Sequence, residues 1–243
     1  MRPEPIGVVV PCMNEEAVLP LLEPRLEDLR RSLAPGFDLR LVFVDDGSTD
    51  GTWAELERRF GDREDCRLVR HETNRGIAAA ITSGIAAART EYVGVIDADL
   101  SYDPALIARM IPHVQAGADL VTASPYHRDG GVEGVPGWRL ALSKGASRLY
   151  RGLLRTDLAT YTSCVRLYRR SAVAGLAPRD AGFVGVTELL ALVDRRGGKI
   201  VEIPARLGAR QAGVSKMRTL KTVVGHLGLM GRVAAGRLGE PHA

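Results

Sequence analysis

The sequence predicts an α/β fold, a doubly wound sheet flanked by helices, and three observations carry that expectation. Short apolar runs alternate with stretches whose apolar residues recur at helical spacing. The apolar runs end in polar or acidic residues, and 45% of the 243 residues are hydrophobic, enough to bury a sizeable core. Strands alternating with helices give a parallel sheet with right-handed crossovers.

IGVVVP (6–11) reads as the first strand, an apolar run closed by proline. Over 15–33, Val18, Leu21, Leu22, Leu26, Leu29 and Leu33 fall at helical spacing. LRLVFVDD (39–46) is a second strand ending in two acids. Asp50 is placed to cap the helix TWAELERRF, which puts Trp53, Leu56 and Phe60 on one side. CRLVRH (66–71) is a third strand, 76–89 a helix of small residues, and EYVGVIDAD (91–99) a fourth strand closing in acids. Asp103-Pro104 opens the next helix, a cap followed by proline at the first helical position.

Residues 220–238 place Leu220, Val223, Val224, Leu227, Met230, Val233, Ala234 and Leu238 on one helical face. This predicts a C-terminal amphipathic helix, either lying among lipid headgroups or packed on its own domain. Five glycines, at 225, 228, 231, 236 and 239, weaken its helix propensity. The expected division is one domain over 1–218, then the helix and tail over 219–243.

Cys12, Cys66 and Cys164 lie far apart, giving no disulfide framework and no zinc pattern, as in a reducing compartment. No signal peptide is read at the N-terminus, and no stretch approaches the length of apolar residues that spans a bilayer. The expected location is cytoplasmic, peripheral on the cytoplasmic face of the membrane. Residues 1–125 hold 13 Lys/Arg against 21 Asp/Glu, a net of −8, whereas 126–243 hold 20 against 8, a net of +12. An acidic half suits a cation and a basic half suits phosphates. With 5% aromatic residues and no stacking platform, nucleic acid is not an expected partner.

In an open α/β sheet the ligand sits outside the carboxyl ends of the strands. Asn14 and Glu15, Asp45 and Asp46, and Asp97 and Asp99 all fall there. At an extended strand end, side chains two apart point the same way, so Asp97 and Asp99 face one cation. Mg2+ or Mn2+ takes one or two such carboxylates together with substrate phosphates. In VDDGSTDGT, Asp45 and Asp46 are placed to accept hydrogen bonds from a base edge or ribose hydroxyls.

PCMNEE, VDDGSTDGT, NRGIAAAITSGI and DADLSYDP, in this order and at these gaps, resemble the family 2 glycosyltransferases, and more closely the dolichyl-phosphate or polyprenyl-phosphate mannose synthases. The likeness continues through ALSKGASRLY, TYTSCVRLYRR and RQAGVSKM, spanning 6–218. It implies a mixed sheet of the GT-A type and an inverting transfer of a sugar, mannose from GDP-mannose, onto a polyprenyl or dolichyl phosphate. It also implies that Pro11, Asn14 and Glu15 line the nucleotide site, that Glu188 lies near the reaction centre, and that Arg210, Ser215 and Lys216 form a phosphate-binding loop. RxxGxSK supplies a guanidinium, a glycine, a hydroxyl and an ammonium that can wrap a phosphate as a lid. Asp99, Glu188, Arg210 and Lys216 are then the catalytic candidates. Arg139, Ser143 and Lys144 match a segment that meets the acceptor phosphate. A separate membrane-anchor partner is a further expectation.

Two positions depart from the family. Ser101 stands where DADLQ has glutamine, and Pro125 stands where close synthases have the arginine of Ser-Arg-Tyr. Arg128 or Arg139 must then supply the missing cation, or the acceptor differs. The alternatives are a UDP-sugar enzyme with a hydroxyl acceptor, for which Glu188 is the candidate base, and a non-catalytic nucleotide-sugar-binding protein.

Overall fold

Val8, Val9, Val10, Val42, Phe43 and Val44 are buried. Continuous apolar runs of this kind mark strands covered by helices on both faces. The computed structural model describes residues 3–210 and 219–239. In chain order the elements are β1 (Glu4–Cys12), α1 (Leu19–Leu33), β2 (Phe37–Asp45), α2 (Thr52–Phe60), β3 (Cys66–Arg70), α3 (Ile77–Ala87), β4 (Tyr92–Val95) and α4 (Leu106–Gln115). They continue with β5 (Leu120–Ser124), β6 (Gly131–Val132), α5 (Gly137–Arg151), β7 (Arg166–Arg169), α6 (Arg170–Val173), α7 (Phe183–Arg195), β8 (Ile200–Pro204), β9 (Arg206–Leu207) and α8 (Thr219–Ala234).

The main sheet runs β3-β2-β1-β4-β7-β5-β8. It is mixed: β7 is antiparallel to both β4 and β5, while its other neighbouring pairs are parallel. Strand–helix alternation in the first half of the chain accounts for the parallel β3-β2-β1-β4, and β7 makes the sheet mixed, as the family resemblance implies. β7 is the four residues RLYR within a basic stretch, and alternation in the first half of the chain says nothing about its direction. One face of the sheet buries α1, α2 and α4, and the other buries α3 and α7 with parts of α5 and α8.

Two element boundaries shift toward function. α1 starts at Leu19 rather than at residue 15; Pro20 falls in its first turn, and Glu15 N–H donates instead to Thr52 Oγ1 at 2.7 Å. Glu15 is thus released from the helix. β4 ends at Val95, and Leu100 takes φ 57°, so Asp97 and Asp99 lie on a loop beyond the strand. Gly51, and not Asp50 as the sequence suggests, takes the cap position of α2, and Asp50 Oδ1 accepts the Thr52 N–H at 3.0 Å from the turn just before it.

α8 does not present its whole apolar stripe outward. Leu229 and Met230 pack into the core, whereas Leu220, Val224 and Leu227 are exposed. No helix among the described residues is long and apolar enough to cross a membrane.

Candidate active site

A cavity of about 780 Å³ opens at the carboxyl ends of β1, β2 and β4. Pro11, Glu15, Asp46, Asp97, Asp99 and Arg210 line it, together with the 74–77 and 180–184 segments. Asp46, 3% exposed, organises the first of these segments. Its Oδ1 accepts from His71 Nδ1 at 2.7 Å and from Arg75 N–H at 2.9 Å, and its Oδ2 accepts from Gly76 N–H at 2.8 Å. His71 Nε2 lies 2.9 Å from Ser83 Oγ, tying the acid to α3. Gly76 has φ 102°, and a Cβ there would stand 2.4 Å from Ala181 O, so only glycine lets the two segments approach this closely.

Asp97 and Asp99 bring two carboxylates to one wall. Burial and then the Asp99 charge push the Asp97 pKa up to about 7, against a donated hydrogen bond from Cys164 and the attraction of Arg210. Asp99 Oδ1 accepts the Ser101 N–H at 2.9 Å, and its Oδ2 lies 3.0 Å from Arg210 Nη2. Arg210 Nη1 reaches Glu15 Oε1 at 3.1 Å. The oxygens of two carboxylates crowded on one wall suit a hard divalent cation. Among the described residues no group of three or more His, Cys, Asp or Glu forms a ligand cluster.

A second, more apolar cavity of about 510 Å³ lies between α5 and α8 and shares Asp97, Cys164, Phe183 and Thr222 with the first. Arg139 and Ser143 line it, Ser143 Oγ standing 2.9 Å from Thr162 Oγ1. Burial lowers the His226 pKa, and its Nδ1 lies 2.9 Å from Tyr150 OH, joining α8 to α5.

The profile of glycosyl transferase family 2 matches residues 7–176. The chain belongs to that family. This family 2 glycosyltransferase is 31% identical over 242 residues to the polyprenol monophosphomannose synthase of Mycolicibacterium smegmatis, covering 95% of this chain and 89% of that one. It is 30% identical over 224 residues to the dolichol-phosphate mannosyltransferase of Pyrococcus furiosus, covering 91% of this chain and 61% of that protein's length. It is 36% identical over 186 residues to the undecaprenyl-phosphate 4-deoxy-4-formamido-L-arabinose transferase of Pseudomonas paraeruginosa, covering 74% and 52%. The chain thus spans about three fifths of the Pyrococcus relative and about half of the Pseudomonas one. In fold it is similar to glucosyl-3-phosphoglycerate synthase of Mycobacterium tuberculosis crystallised with Mn2+, UDP and glucosyl-3-phosphoglycerate. The TM-score is 0.65 at 23% identity, covering 99% of this chain and 82% of that one. The same enzyme with Mg2+ and UDP gives 0.67 at 23% identity, covering 99% and 81%.

Not every residue that the sequence singles out in this glycosyltransferase reaches a cavity. Asn14 and Asp45 line neither. Asn14 Oδ1 accepts the Thr49 N–H at 2.8 Å, and Asp45, fully buried, accepts the Ser48 N–H at 3.1 Å and faces Arg70 at 3.4 Å, so both shape the 46–52 turn. Arg128 is 88% exposed and pairs with Asp129. Lys144 lies over the Tyr126 ring at 5.2 Å, beside the second cavity but outside its lining. Glu188 is buried on α7, lines neither cavity, and is held by the 179–180 backbone and Arg232. Ser215 and Lys216 lie outside the described residues. Sequence reasoning did not find Asp180, Gly182, Phe183, Cys164 or Thr222, all of them in a cavity wall. RDAGF has no motif, and its position depends on contacts between helices far apart in the chain.

Proposed function

We propose that this glycosyltransferase moves a hexose from a nucleotide sugar, GDP-mannose by preference, onto a polyprenyl phosphate. One observation carries the reading: a cavity lined by Asp97, Asp99 and Arg210 among other charged groups shares a wall with a more apolar one that suits a prenyl chain. The names of the relatives support the same class of acceptor.

Asp97 and Asp99 would hold Mg2+ or Mn2+, which supplies charge neutralisation to a departing diphosphate. Arg210, already beside Asp99, turns its guanidinium fork to the diphosphate when the donor enters. Asp46 holds the 74–76 segment against the nucleotide end of the cavity. The acceptor phosphate oxygen attacks the anomeric carbon, the carbon–oxygen bond to the diphosphate breaks, and the configuration inverts. A phosphate monoester, with its second pKa about 6, attacks as an anion and needs no general base. That requirement suits a Glu188 placed behind the cavity wall instead of inside it. Arg139 and Ser143, at the second cavity, meet the acceptor phosphate, and the prenyl chain runs between α5 and α8, whose exposed leucines rest on the membrane face.

The test is transfer from GDP-mannose and from UDP-glucose to a polyprenyl phosphate with Mn2+. A lipid-linked sugar of inverted configuration is expected. Glycosylation of a hydroxyl acceptor with none of the phosphate would sink the reading.

A further inference from the structure

The side chain of Glu188, 1% exposed, joins three parts of the chain. From α7, its Oε2 accepts the N–H groups of Arg179 at 3.0 Å and Asp180 at 3.2 Å. Its Oε1 accepts from Arg232 Nη2 of α8 at 3.0 Å. A buried carboxylate keeps such an arrangement only while its partners stay in place, because an unpartnered charge there is costly.

The segment that Glu188 holds has little slack. Ala181 O accepts the N–H groups of Ala78 and Ala79 at 2.8 and 3.2 Å, and Asp180 Oδ1 accepts the Gly182 N–H at 2.7 Å. A Cβ on Gly185 would stand 1.8 Å from Asp180 O. α8 presses on the same region, where a Cβ on Gly225 would come 2.8 Å from Val184 Cγ2. Residues 180–184 line the first cavity, while α8 contributes residues to both.

We propose that Arg232 is a positioning residue for the donor: acting through Glu188, it fixes the 179–182 wall, so the packing of α8 sets donor affinity. This rests on the reading of the first cavity as the donor's. Because coupling between sites is reciprocal, an acceptor that shifts α8 changes donor affinity by the factor with which donor changes acceptor affinity.

The test is calorimetric titration of the full chain with GDP and with UDP in Mn2+. Arg232→Gln is expected to weaken nucleotide binding about tenfold while the chain still melts cooperatively. Arg232→Lys recovers most of that loss, since its ammonium reaches the same oxygen. The double variant Glu188→Gln with Arg232→Gln covers the case in which the single variant unfolds. It removes both charges of the pair, leaves an amide oxygen for the two backbone N–H groups, and brings binding back to within about threefold of wild type. Wild-type nucleotide affinity in Arg232→Gln, with only its melting temperature lowered, would overturn the inference, as would a double variant that binds no better than the single one. A wild-type chain that binds neither nucleotide sinks the donor reading instead.

Discussion

Arg210 is ion-paired with Asp99, Nη2 to Oδ2 at 3.0 Å, and the same guanidinium reaches Glu15 at 3.1 Å. The arginine thus sets positive charge against both acids. A divalent ion held by Asp99, as proposed, would displace it, and the displaced guanidinium would then be available to phosphate. Arg210→Gln should therefore tighten Mn2+ binding about tenfold in the absence of nucleotide, as expected for removing a competing cation a few ångströms away. The same variant should weaken nucleoside diphosphate binding. Mn2+ titration followed by electron paramagnetic resonance, with and without GDP, reads both effects. Unchanged Mn2+ affinity would refute the competition.

The raised pKa of Asp97 makes stability and metal binding depend on pH in opposite directions. Its folded value, about 7, lies above the ordinary carboxylate value, so the metal-free folded state takes up a proton. The stabilising contribution is complete below the unfolded pKa, about 4, and is lost as pH rises through 7. Asp97→Asn should therefore raise the melting temperature of the chelated protein more at pH 8 than at pH 5. Mn2+ must displace that proton below pH 7, so wild-type affinity should climb with pH by up to about tenfold per unit and level off above 7. A gain from Asp97→Asn that is equal at both pH values would contradict the assignment.

The acids that end β2 and follow β4 were legible in the sequence because strand ends and catalytic rims coincide in an α/β sheet. Asp46, Asp97, Asp99, Glu15 and Arg210 do converge on one cavity. Asn14 and Asp45 have the same signature yet serve the 46–52 turn. A side chain that accepts a turn N–H and one that faces ligand look alike until the chain direction after the strand is known. β7 was hidden for a different reason. Its Arg166 is fully buried, its Nη1 donating to Val186 O at 2.5 Å and Nη2 to Tyr161 O at 2.8 Å, so a core strand is written with a charged residue. The ties of Glu188 were unreadable because they depend on how α7 and α8 pack, and no local pattern encodes that.

Asp46→Asn tests whether this acid works through the segment it holds. Both of its oxygens accept, taking three donors from His71, Arg75 and Gly76. An amide nitrogen in place of one oxygen faces a donor with a donor. For a buried network of this kind the expected loss is about 2–4 kcal/mol in urea unfolding. Nucleotide affinity should fall in the same variant, because the displaced 74–76 segment lines the cavity. Full stability in Asp46→Asn would mean that the network carries less than its geometry suggests.

The exposed apolar residues are distributed unevenly, and this predicts where the molecule meets lipid. Trp138, Leu142 and Leu149 on α5, Leu153 just beyond it, and Leu220, Val224 and Leu227 on α8 are all exposed. Neither helix contains an Asp or Glu, while Arg139, Lys144, Arg148, Arg151 and Lys221 accompany the apolar residues. Apolar side chains with a basic surround favour an anionic bilayer surface. Leu142→Asp with Leu149→Asp should reduce co-sedimentation with phosphatidylglycerol vesicles by about 10- to 100-fold, from the lost burial of two leucines and the added negative charge. Raising the salt should weaken wild-type binding by screening. Leu21→Asp serves as the control. Leu21 is also exposed, but it lies on α1, across the sheet from α8, so vesicle binding should be unchanged in that variant. Equal losses in both variants would mean that the binding is not organised by α5 and α8, and transfer to a short, water-soluble prenyl phosphate would then be the measure of the reaction apart from the membrane.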